Sequence, residues 1–81
     1  MDMIPIATPL HRVDRYIVAR MLSVEKGVPR IGARLLDADG RQVAIVTDVF
    51  GPVTKPYLAL RGRWVDKYFV RPRDLLKNVG R

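Results

Sequence analysis

Cysteine is absent from the 81 residues, which excludes disulfide staples, thiolate-held zinc, iron–sulfur clusters and thiol nucleophiles. Histidine occurs once, at His11, and serine once, at Ser23. Neither a histidine pair for zinc nor a Ser–His relay can be assembled from them. Phosphate-cradling GxxxxGK[ST] and GxGxxG loops are missing as well. The carboxylates are accounted for by turns and charge balance: Asp37 and Asp39 fall in a hairpin loop, while Asp66 and Asp74 stand among basic residues. These absences read as a non-enzyme with no cofactor and no metal. Long apolar runs are lacking too. Val43-Ala44-Ile45-Val46 is far short of the roughly 20 residues that span a bilayer. Met1 to Ile6 has neither a basic start nor a long apolar stretch, so no signal peptide is expected. The expectation is a soluble intracellular protein without a membrane partner.

What is present suits one folded domain: 48% hydrophobic and 28% charged residues. Without metal or disulfide, so short a chain needs a compact closed core or stability borrowed from a partner. The net charge of +7 points to an anionic environment, nucleic acid first among them. Its placement is uneven. Residues 61–81 carry seven basic groups against two acidic ones, whereas 1–28 and 29–60 each carry four against three. Arg61, Arg63, Trp64, Lys67, Arg71 and Arg73 are therefore the candidates for lying near RNA, with Trp64 beside Arg63 as a stacking platform. A solvated basic tail, a barrel lid at Trp64 or a second protein contact would explain the same residues.

Local patterns favour strands. Tyr16 to Leu22, Ala33 to Leu36, Val43 to Phe50, Tyr57 to Leu60 and Lys67 to Val70 are short, rich in strand formers and punctuated by Pro or Gly. An Asp-Gly turn at Asp39-Gly40 joins two of them as a hairpin. The spacing predicts an all-β fold, a small antiparallel barrel that leaves no exposed edge. Residues 15–71 form the expected core. Met1 to Asp14, with two prolines, reads as an arm, disordered or paired with a neighbouring chain. Residues 72–81 read as a basic tail, with a short helical turn from Arg73 to Val79 capped by Asp74.

The most unusual stretch runs from Asp48 to Tyr57. A strand ends at Phe50, Gly51-Pro52 turns the chain, and Pro56 stiffens its return. A rigid loop bearing Val49, Phe50, Val53 and Tyr57 loses little entropy on docking. One of Val49 and Phe50 should point inward, because strand neighbours face opposite sides.

Taken together, Pro29-Arg30-Ile31-Gly32, Leu36-Asp37, Asp39-Gly40, Val46 to Val53 and Pro56-Tyr57 resemble the GAR-type (Gar/Naf) protein family of H/ACA small ribonucleoproteins. The likeness is strongest over residues 29–61. Ala44 stands where the family favours Gly, Thr47 where an aromatic is common, and the glycine–arginine-rich flanks of eukaryotic members are missing, as in a bare archaeal core. The resemblance implies a six-stranded barrel. It also implies a non-catalytic subunit that docks on the catalytic domain of a dyskerin-type pseudouridine synthase and promotes substrate loading and product release in rRNA pseudouridylation. Direct contact with the H/ACA guide RNA would be secondary. Carried onto this chain, the docking residues would be Val49, Phe50, Gly51, Pro52, Val53, Pro56 and Tyr57. The implied location is the cytoplasm of an archaeal cell, or the nucleolus of a eukaryotic one. A related nuclear assembly factor shares the core but is usually a longer chain. The alternative reading is a direct RNA-binding barrel of ribosomal or ribosome-maturation type, acting through the basic residues named above.

Overall fold

In the structure, a computed structural model, residues 2–76 are described. The strands are β1 (Ile4–Val13), β2 (Tyr16–Met21), β3 (Val28–Pro29), β4 (Arg34–Leu36), β5 (Gln42–Phe50), β6 (Tyr57–Gly62), β7 (Tyr68–Val70) and β8 (Leu75–Leu76). Six of them close an antiparallel barrel in the order β1-β2-β6-β5-β4-β7, and β3 pairs with β8 in a separate two-stranded ribbon. The fold is thus the all-β, six-stranded closed barrel.

Alternation builds the core. Ile17, Ala19 and Met21 of β2 and Leu58 and Leu60 of β6 point inward, against Leu35, Val46, Val70 and Tyr68. Each of the Leu, Ile, Val and Met side chains among them contributes about 1.5–3 kcal/mol when fully buried. Tyr68 is the one with a polar tip, and its hydroxyl donates to the Arg63 carbonyl at 2.7 Å. Burial pushes its phenol pKa up.

Strict alternation fails where the barrel must bend. Ladder registers shift at Pro5/Ala7, Pro9/His11, Leu35/Leu36 and Val46/Asp48, which places one extra residue in a strand at each point. Such bulges supply the curvature a small closed sheet needs. They explain the consecutive buried pairs Ile6-Ala7 and Val43-Ala44.

The bulges also correct the expected arm. Residues 4–13 are not outside the core: β1 pairs with both β2 and β7 and closes the barrel. Pro5 and Pro9 each border a register shift, the kind of strand position at which a missing amide donor is tolerated. The expected C-terminal helical turn shrinks to a 3-10 turn at Pro72–Asp74 followed by β8, with no side-chain cap. Its continuation to Val79 lies outside the described residues.

The antiparallel order gives the barrel two ends. At one lie the start of β1, the segment between β2 and β4, the β5–β6 loop and residues 71–76. At the other lie the Asp14-Arg15 turn, the Asp37–Gly40 hairpin and the β6–β7 connection. Val24, Val28 and Leu75 pack against the core from the first end.

Candidate functional site

The β5–β6 loop is set up by the bulge at Thr47. Val46 opposes Leu60 and Asp48 opposes Ala59, so Thr47 is the extra residue. Its hydroxyl donates to the Ala59 carbonyl at 2.9 Å, which ties the bulge to β6. The shift reverses which faces the later residues take. Val46 is buried, Asp48 is exposed, Val49 packs on the core and Phe50 turns outward. Of the two residues expected to divide between core and surface, Val49 goes in and Phe50 goes out.

Phe50 and Tyr57 pair across the strand ends, ring centroids 5.8 Å apart and tilted by 30°. The separation lies within the roughly 4.5–7 Å range over which aromatic rings attract one another. Gly51 makes it possible. Its φ is +92°, and a Cβ there would stand 2.9 Å from Cδ2 of Tyr57. Any side chain would both strain the backbone and push the ring away. The tip is a turn in which the Lys55 amide donates to the Pro52 carbonyl at 3.2 Å. Pro56 is buried, and its carbonyl accepts from the Met21 amide at 3.5 Å. Pro56 therefore anchors the loop to β2. The accessible surface comes from Phe50, Pro52, half-buried Tyr57 and above all Val53, which is 91% exposed.

The six basic-quarter candidates do not form one patch. Arg63, Trp64 and Lys67 sit at the barrel end opposite the β5–β6 loop. There Lys67 lines a depression with Asp37, Asp39 and Asp66, a poor setting for a polyanion. Arg63 is fixed by its backbone, its amide donating to the Val43 carbonyl at 2.8 Å, and Trp64 is 44% exposed. Arg61 stands on the outer face of β6, between Tyr16 and Ile45. Arg71 and Arg73 lie at the loop's end of the barrel.

Arg73 shares a depression with Arg30, Arg34, Gly32 and Asp74. Arg30 and Arg34 lie outside the charge-rich last quarter, so a count of charge along the chain does not reach them. Only the closure of the barrel, which carries the 3-10 turn back onto the β3–β4 segment, brings the three guanidiniums together.

A closed barrel of this size, with a stiff apolar loop and arginines gathered at one end, defines a macromolecule-binding module. A family model described as the Gar1/Naf1 RNA binding region matches residues 3–71, and the chain belongs to that family. The match takes in all of β1, in keeping with its place in the barrel. A comparison with the curated proteins finds no match.

Proposed function

We propose that this chain is a non-catalytic subunit of an H/ACA RNA-guided pseudouridine synthase complex. It docks on the catalytic domain of a dyskerin-type synthase through the β5–β6 loop and modulates loading and release of substrate RNA. Family membership supports the accessory role. The observation that carries the docking surface is the loop itself. Val53 stands almost fully in water, beside a Phe50–Tyr57 pair held by a buried proline and a glycine that tolerates no side chain. An isolated barrel gains nothing from holding apolar side chains rigidly outward. A partner does, since little ordering entropy remains to be lost on binding, and interface energy concentrates in a few such anchors.

The test is binding to the purified synthase by titration calorimetry. Val53→Asp touches nothing in the free barrel and is expected to leave its circular dichroism and melting unchanged. Tyr57→Ala is expected to weaken binding by about 2 kcal/mol or more, as truncated anchors typically do. Wild-type affinity in both folded variants would remove the loop from the interface. Direct RNA contact is the second reading, favoured by the description of the matching family region and by the net charge of +7.

A further inference from the structure

Folding alone does not explain why three guanidiniums line one depression. Arg30 comes from the β3–β4 turn, Arg34 from the first position of β4, and Arg73 from the 3-10 turn. Only one carboxylate, Asp74, lines the depression with them. Two positive charges are left over at this exposed position, a surplus that favours an anion.

The setting is also built. The turn that carries Arg30 is closed by the Ala33 amide donating to the Arg30 carbonyl at 2.9 Å. It is tied to the 3-10 turn twice: the Arg30 amide donates to the Asp74 carbonyl at 3.2 Å, and Arg30 Nη2 donates to Asp74 Oδ1 at 3.1 Å. This is the one salt bridge among the described residues. It pins the guanidinium through one nitrogen and leaves the rest of its five N–H donors for a ligand. Gly32 gives the depression a wall without a side chain, and its own amide is already spent on the Val46 carbonyl at 2.8 Å. Recognition therefore falls to the arginine forks, whose planar donors match phosphate oxygens.

We propose that the Arg30–Arg34–Arg73 depression is a phosphate-binding site occupied by the backbone of single-stranded RNA. The polymer, rather than a lone anion, fits because the cationic line continues around the barrel. Arg34 opposes Ile45, Ile45 opposes Arg61, and Arg61 opposes Tyr16. A second cation and an aromatic ring thus lie on the same outer row. The site shares its end of the barrel with the β5–β6 loop but uses none of its residues. It builds on the RNA-binding character of the family and is independent of the docking reading.

The test follows backbone amides by NMR while inorganic phosphate, and separately a single-stranded RNA oligonucleotide, is added. Phosphate is expected to shift Arg30 to Arg34 and Arg73–Asp74, and the shifts are expected to vanish in the Arg34→Gln/Arg73→Gln double variant. For RNA, the slope of log K against log salt should shrink by about 0.7 for each contact removed. Arg34→Lys, which keeps the charge, should retain the slope. Lys67→Gln at the far end should change nothing. Dispersed spectra identify the variants that fold, and Val53→Asp is expected to keep phosphate binding, so the two readings fail separately. Absence of localised phosphate shifts overturns the site. Phosphate shifts combined with unaltered RNA affinity in the double variant overturn RNA as its occupant.

Discussion

Gly62 shows how much a single residue decides in so small a barrel. It closes β6 opposite Ala44 of β5, with φ +147°, and a Cβ there would run into the Val43 carbonyl and stand 2.7 Å from Cα of Ala44. Both obstacles are backbone, which cannot swing aside as a side chain would. Gly62→Ala is therefore expected to cost about 1–3 kcal/mol, read as a lower urea midpoint with an unchanged slope. A drop of a few tenths would mean that the β5 backbone yields. Tyr68 sits below the same junction, its hydroxyl on the Arg63 carbonyl. That bond fixes the start of the β6–β7 connection, which holds Trp64 at the end away from the β5–β6 loop.

Among the elements, the β4–β5 hairpin has the most explicit wiring. Asp37 Oδ1 accepts from the amides of Asp39 and Arg41, both at 2.9 Å, and the Asp37 amide donates to the Arg41 carbonyl at 2.9 Å. The Arg41 amide, seconded by that of Asp39, holds the carboxyl below its usual 3.8. A depressed pKa in the folded state means stabilisation that is complete above the ordinary carboxylate value and lost as pH falls through the lowered one. The Asp39 and Arg41 amide resonances are expected to move together in an acid titration, with a midpoint below 3.8. Asp37→Asn should abolish that step, and an ordinary midpoint in the wild type would refute the wiring. This hairpin was legible in the sequence because Asp39-Gly40 between apolar runs has few other uses. The cores of β2, β4, β5, β6 and β7 were legible for the same reason, as short strand-forming runs. β1 was not: Pro5 and Pro9 look like linker residues until bulges excuse their missing donors. The loop residues could be named from their order, but the inward turn of Val49 depends on the bulge at Thr47 and the anchoring of Pro56 on its pairing with Met21 of β2, neither of which the order of residues shows. Arg30 and Arg34 escaped notice because their partner, Arg73, is about forty positions away and is brought near only by tertiary closure.

At the scale of the whole molecule, stability is divided between a closed sheet and an open ribbon. The barrel strands each have two paired neighbours, whereas β3 and β8 have only one another, over the two pairs Val28↔Leu76 and Pro29↔Leu75. Two-stranded pairings are marginal without tertiary support. Hydrogen exchange is expected to protect the amides of β2, β5 and β6 up to the global unfolding free energy, and to release those of Val28 and Leu75 to Leu76 first. Equal protection would show that barrel and ribbon open as one unit. The Arg30–Asp74 bridge joins the same two segments, so an anion held in the arginine depression would slow that early release. The barrel also presents the apolar loop and the arginine depression at the same end. The Asp37–Gly40 tip, with Ala38 exposed at its crest, points away from both the apolar loop and the arginines. A dye, a surface tether or an inserted passenger domain at Ala38 would ride on the molecule without obstructing either, which makes this hairpin the natural handle by which to hold the protein and watch it bind.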